Sequence, residues 1–269
     1  MVLASGSAVP EGEWQRCQHA GYRGAATRIR PDEVHVWRTK LVVDDDSRRQ
    51  LALTLSPDER ERASRMRSPL RRDAFVVGRG TLRAILAGYL GTTPGAVALG
   101  TGTHGKPVLS GGGGLRFNLS HTASFAVYAV GRGREVGVDL ERVDRRLDFD
   151  RIARRFFSPP ENEQLLSVPE GARRRSFFAA WTRKEAFAKA RGEGLSLAFD
   201  RFTVSVGPDR AAQLLSVDGQ PDEAARWSLH DLEPAPGLVA SLAVEGNAGT
   251  PRLRDQGWFR RRPIDERYI

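Results

Sequence analysis

The sequence predicts an α+β protein built as two similar α+β halves with a ligand cleft between them. Three observations carry this expectation. The helix-start pattern Ser-Pro-x-Glu occurs at Ser56–Glu59 and again at Ser158–Glu161. Each copy opens a short helix that is followed by a long one, and each long helix is followed by stretches that alternate as strands do. The shared order weighs more than the repeated cap, because such caps begin many unrelated helices. The halves are expected at 34–131 and 132–246. Residues 1–33 read as a loosely ordered N-terminal extension and 247–269 as a C-terminal tail. Ligands favour the cleft between two such lobes.

From Glu33 onward "EVHVWRTKLV" alternates as a strand. "SPDERERASRM" opens a helix with Ser56 as N-cap, Pro57 at the first helical position and Glu59 completing a capping box. The longer helix "RRDAFVVGRGTLRAILAGYLG" repeats Phe75, Leu82, Ile85, Leu86 and Leu90 at helical spacing. "LRFNLSHT" and "SFAVYAVG" read as two strands able to pair. In the second half "REVGVDLERVD" is a strand, "FFSPPENEQLL" a capped short helix, and "RRRSFFAAWTRKEAFAKARGEG" a long helix with a glycine-rich end. "RFTVSV", "RWSLHDL" and "LVASLAVEG" supply the later strands.

At 269 residues the chain has ample length for a core, and one cysteine, Cys17, rules out an internal disulfide. With no membrane-length apolar run and no leader-like start, the expected location is the cytoplasm, away from membranes. A formal charge of +9 favours an anionic partner: nucleic acid, a phosphorylated small molecule or an acidic protein. The alternative is a solvated, arginine-biased surface. No helix-turn-helix, zinc finger or RNA-recognition signature is present, which weakens nucleic-acid binding as a reading. Only four of the 42 basic residues are lysines: Lys40, Lys106, Lys184 and Lys189. A compact ammonium among so many guanidiniums marks the places where a point charge suits better than a planar fork.

Asp139 and Glu141 stand two apart on a strand, so their carboxylates share a face and repel unless a cation lies between them. A hard ion such as Mg2+ answers that need; solvation, or pairing with Arg142, Arg145 and Arg146, answers it equally. Glu185 is the candidate third ligand. Glu185 and Lys189 are spaced i, i+4, which as a surface ion pair is worth only about 0.2–0.5 kcal/mol. Their apolar helix, with Phe177, Phe178 and Phe187, argues instead that they line a cleft. Lys184 faces elsewhere on that helix and is expected to meet solvent or a protein partner. Ser120 and His121, as strand neighbours, point to opposite faces and form no hydrolytic dyad, although His121 could hold a phosphate oxygen. Lys106 precedes Pro107 and so belongs to no nucleotide P-loop, but can present its ammonium to an anion.

In sequence, Gly-Lys-Pro, Phe-Asn-Leu-Ser-His, Gly-Val-Asp-Leu-Glu, Phe-Phe-Ser-x-x-Glu and Trp-Thr-x-Lys-Glu-Ala-Phe-x-Lys form a highly specific series. The chain closely resembles the 4'-phosphopantetheinyl transferases of the broad-specificity Sfp type, from Val34 to Glu245. That resemblance implies a pseudo-dimeric single chain, acting as a monomer, that transfers phosphopantetheine from coenzyme A to a serine hydroxyl of an apo acyl or peptidyl carrier protein and releases 3',5'-ADP. It implies Mg2+, with Mn2+ as the alternative, on Asp139, Glu141 and Glu185. It implies Lys189 on the phosphates, with Asp139, Glu185 and Lys189 as the catalytic group. Lys106, Ser120 and His121 match coenzyme A contacts, and Arg62 matches a basic position near the 3'-phosphate. One departure stands out: three residues before Arg62, where the family is basic, this chain has Glu59. The remaining alternatives are a nucleic-acid-binding protein, a metal-dependent phosphohydrolase using the same acids, and a family member that binds coenzyme A without transferring.

Overall fold

The computed structural model describes residues 15–17, 27–102, 107–192, 197–208 and 210–256. The first half comprises β1 (Gln15–Cys17), β2 (Val34–Lys40), α1 (Asp45–Leu53), α2 (Pro57–Ser64), α3 (Pro69–Leu90), β3 (Leu99–Thr101), β4 (Pro107–Leu109), β5 (Leu115–His121) and β6 (Phe125–Arg132). The second comprises β7 (Val136–Arg142), α4 (Phe149–Phe156), α5 (Pro159–Ser167), α6 (Glu170–Arg191), β8 (Phe202–Val204), β9 (Leu214–Val217), α7 (Pro221–Ala224), β10 (Trp227–Leu232) and β11 (Leu238–Glu245). A last strand, β12 (Arg252–Gln256), follows.

The strands β2-β6-β5 and β7-β11-β10 form antiparallel sheets of the same order, one per half. Alternation decides what each face meets. Val34, Val36, Val127 and Ala129 from the first sheet pack with Val136, Val138, Leu140 and Leu242 from the second, in a core between the two sheets. Trp37, Tyr128 and Val130 face the other way, onto α3 residues Val77, Leu82, Ile85 and Leu86. On the far side, Phe177, Phe178 and Phe187 of α6 pack against Val239, Ala243 and Leu229. The layers therefore run helix, sheet, sheet, helix. Both long helices end at a glycine in the left-handed region, Gly91 with φ 62° and Gly192 with φ 75°.

Both capping boxes form, and both do more than start a helix. Glu59 accepts from its own Ser56 N–H at 2.9 Å and from Arg83 of α3 at 2.6 Å, with Arg79 at 3.5 Å. Glu161, fully buried, accepts from Ser158 N–H at 2.7 Å, from Val204 N–H at 2.6 Å and from Lys184 Nζ at 2.7 and 2.8 Å. Lys184 also donates to the Phe202 carbonyl at 2.6 Å and lies 4.2 Å from the Phe202 ring centre. The expectation that Lys184 meets solvent or a partner is therefore corrected: one turn from buried Ala180 and Ala188, it lies on the core face. Burial lowers its pKa to about 8 and raises that of Glu161, while the donors converging on Glu161 favour the ion pair.

Helix α1 is not legible in the periodicity: it is short and polar, capped by Asp44, and buries Leu51 alone. Helix α4, capped by Asp148, does carry Phe149, Ile152, Ala153 and Phe156 at helical spacing, all packed on the second-half core, a signal the sequence reading missed. Part of the expected tail is also a strand: β12 pairs in parallel with β2, and β1 pairs in parallel with β12. Its pattern is obscured by charge, since Leu253 alone enters the core between the sheets. No helix among the described residues is long and apolar enough to cross a membrane.

Lys184→Met should destabilise the chain by about 3–5 kcal/mol, because it strands the buried Glu161 carboxylate. The double variant Glu161→Gln/Lys184→Met should lose less, as measured by denaturant unfolding. A second expectation concerns His35, 1% exposed, whose Nδ1 lies 2.7 Å from the Tyr89 hydroxyl. Burial lowers its pKa from 6.5 to about 4, so its contribution is complete above 6.5 and is lost as pH falls toward 4. His35→Asn should remove on the order of 3 kcal/mol of the acid sensitivity across that window, read from unfolding midpoints against pH.

Candidate active site

A cleft of about 1590 Å³ opens between α2, α3 and β5 of the first half and β7 and α6 of the second. Arg62, Arg67, Arg71 and Arg79 line one wall, and Arg142, Arg145, Arg146 and Lys189 line the other. Ser120, His121, Asp139 and Glu141 lie between them. A low-dielectric recess with so many cations draws polyanions and strengthens their binding once they are inside.

At the centre Asp139, 5% exposed, directs one oxygen to two donors. Its Oδ1 accepts from Lys189 Nζ at 2.6 Å and from Ser120 Oγ at 2.9 Å. Lys189 Nζ also donates to Ser120 Oγ at 3.2 Å and to the Val138 carbonyl at 3.3 Å. The other oxygen, Oδ2, is buried with no hydrogen-bond donor. Gly137 explains how Asp139 comes so close to α6. A Cβ there would run into the backbone of Ala186 and Ala190, so only glycine lets strand and helix approach this far.

Glu141 accepts from Arg145 at 3.0 and 3.1 Å. Burial raises its pKa, and the Asp139 charge adds to the rise. Glu185 is half-buried on α6 and is not among the residues lining the cleft. Its carboxyl is pushed up to about 7, first by burial and then by Asp139, with Glu141 adding and Lys189 opposing. The three acids thus sense one another's charge. Even so, the described residues include no group of three or more His, Cys, Asp or Glu side chains gathered tightly enough to hold a metal. With Oδ1 of Asp139 turned to Lys189, the carboxylates are near one another but not closed around a point. Their mutual repulsion and the undonated Oδ2 are what a divalent cation would relieve, so the donor set fits a hard ion.

His121 is exposed on the cleft, with Nδ1 3.2 Å from the Thr122 carbonyl. Arg62 lies over the Phe75 ring at 5.1 Å. Lys106 lies outside the described residues. Glu59, the departure from a basic position, turns inward to Arg83 and Arg79 and away from any ligand role. The sequence reading missed Arg79, which covers Phe75 at 5.8 Å and whose pKa is lowered by burial. The signal was present: Arg71, Phe75 and Arg79 recur every fourth residue on α3, one stripe down the cleft wall. Phe75 reads as core by type, which hides its place under two guanidiniums.

The family model of the 4'-phosphopantetheinyl transferase superfamily matches residues 135–243. The chain is 40% identical over 225 residues to the 4'-phosphopantetheinyl transferase HetI of Nostoc sp., covering 82% of this chain and 92% of that one. It is 28% identical over 155 residues to the 4'-phosphopantetheinyl transferase Sfp of Bacillus subtilis, covering 58% and 68%. A phosphopantetheinyl transferase of Thraustochytrium sp. is 27% identical over 234 residues, 81% of each chain.

Inorganic pyrophosphate should raise the thermal midpoint at low ionic strength, and the rise should fade as salt is added. At a hundred times its dissociation constant an anion adds about 2.7 kcal/mol. A midpoint indifferent to pyrophosphate at low salt would show that the cleft does not take diphosphates.

Proposed function

We propose, from the premise that this chain belongs to the 4'-phosphopantetheinyl transferase family and is such a transferase, that the cleft between the halves is where coenzyme A and the carrier serine meet. The observation that carries this is the Lys189–Asp139–Ser120 cluster at the centre of a cationic cleft, with the buried Oδ2 of Asp139 left undonated. The boundary between 34–131 and 132–246 is then the catalytic seam. The enzyme works as a cytoplasmic monomer on coenzyme A and acidic carrier domains, without nucleic acid or membrane.

On this reading the arginine wall and His121 hold the phosphates of coenzyme A, with Arg62 toward the 3'-phosphate and Lys106 and Ser120 as further contacts. The carrier serine oxygen attacks the phosphorus that bears pantetheine. A new P–O bond forms, the P–O bond within the pyrophosphate breaks, and 3',5'-ADP leaves with the negative charge. Lys189, anchored to Asp139 and the Val138 carbonyl, keeps its ammonium fixed where that charge develops, which is worth more than a donor that must reorganise. The serine proton passes to Glu185 or to water. Asp139, Glu141 and Glu185 would hold the divalent ion, Mg2+ or Mn2+, whose charge when bound neutralises the pyrophosphate. The first-half arginines come from α2 (Arg62), the turn after it (Arg67) and α3 (Arg71 and Arg79), and the packing of the two helices brings them to one wall. The +9 charge steers acidic carriers toward the protein and makes their apparent affinity fall with salt.

Incubated with Mg2+, coenzyme A and an apo carrier, the protein should add one phosphopantetheine mass to the carrier, as read by intact mass. Asp139→Ala and Glu185→Ala should each lower the rate by at least about a hundredfold while the fold persists. Lys189→Arg should also lose rate, because the planar fork does not fit the three acceptors around the ammonium. Full transfer in either alanine variant would remove those acids from the reaction.

A further inference from the structure

Strands β5 and β7 lie side by side at the seam between the halves, yet their backbones do not pair: β5 bonds to β6, and β7 bonds to β11. Side chains make the joint instead. On β5, Phe117 and Leu119 turn into the first-half core, so alternation turns Asn118 and Ser120 the other way. Asn118, 5% exposed, accepts the Val138 N–H on its side-chain oxygen at 3.0 Å. Two residues further along β5 and one along β7, Ser120 meets Asp139. The Val138 carbonyl accepts from Lys189 at 3.3 Å. Val138 therefore has its N–H held by a side chain of the first half and its C=O held by a side chain of the second.

We propose that Asn118 is a positioning residue of the active site, fixing where β7 stands against the first half and so where Asp139 and Lys189 stand against the arginine wall. The inference rests on the transferase reading of the cleft. Each alternative at this position fails for a physical reason. An Asp could accept the same N–H but would add a carboxylate beside Asp139, Glu141 and Glu185, which already repel one another. A Ser is too short to span the seam. An Ala leaves a buried backbone donor unsatisfied and lets β7 shift to find another partner. Asn supplies a neutral acceptor long enough to reach the Val138 N–H across the seam. Asn118 contacts neither the phosphates nor the transferred group on this account; it acts through Val138.

The test separates positioning from packing. Asn118→Ala should lower kcat by about 10- to 100-fold, as loss of an outer-shell partner does, with KM for coenzyme A unchanged. Hydrogen exchange should be faster at the Val138 amide in the variant, while amides of the β10–β11 ladder keep their protection. A folded Asn118→Ala with native kcat, or one that changes KM alone, overturns the proposal. Should that variant not fold, the unmutated chain decides: a Val138 amide exchanging as freely as an exposed loop overturns it, and a protected one supports it. Exchange needs no turnover. An unmutated chain that protects Val138 but transfers nothing would defeat the transferase reading of the cleft and leave the seam geometry standing.

Discussion

A carboxylate almost out of reach of water must be met by donors, because a buried polar oxygen without a partner is costly, and Asp139 is that carboxylate here. One oxygen is satisfied by Lys189 and Ser120, which come from different halves of the chain. The contact therefore does two jobs. It fixes the ammonium that faces a ligand, and it closes the seam at the point where chemistry is proposed. Gly137 allows it by letting β7 press against α6, and Asn118 holds the strand from the other side. Loss of any of these would shift the same two charged groups.

The two halves reach similar frames by similar means and then diverge. In each, a glutamate three residues after the N-cap serine ties a short helix to a cation on the long helix: Glu59 to Arg83, Glu161 to Lys184. The first-half cation also meets the backbone carbonyls of Pro94 and Val97, and the second-half cation that of Phe202 together with the rings of Phe157 and Phe202. Divergence is sharpest on the strands that follow the same path. β7 carries Asp139 and Glu141 toward α6, while β2 presents Trp37 to the core beneath α3. One half thus supplies charge of both signs at close quarters. The other supplies an arginine wall.

Much of this was legible in the sequence, and the reasons are specific. The capping boxes, the long helices and the alternation of β2, β6 and β11 follow from local rules, and local rules are what a sequence displays. The resemblance named the acids and Lys189; Asp139, Glu141 and Lys189 line the cleft, and Glu185 is not among its lining residues. What escaped was decided by tertiary partners. Lys184 looks like a surface residue until Glu161 and Phe202 are known to lie beside it. Arg79 looks like one more surface arginine until Phe75 and Glu59 are placed beside it. Asn118 sits in a strand like any polar residue, and nothing local reveals that its partner is a backbone amide across the seam.

The parallel insertion of β12 beside β2 has a consequence for how the molecule comes into being. Leu253 is part of the hydrocarbon between the sheets, and Asp255 receives the Arg38 guanidinium at 3.2 Å. During synthesis, the first sheet therefore emerges from the ribosome with one edge bare and stays so until the entire second half has been made. The nascent first half must wait, exposed to wrong strand partners, for the segment that finally covers it.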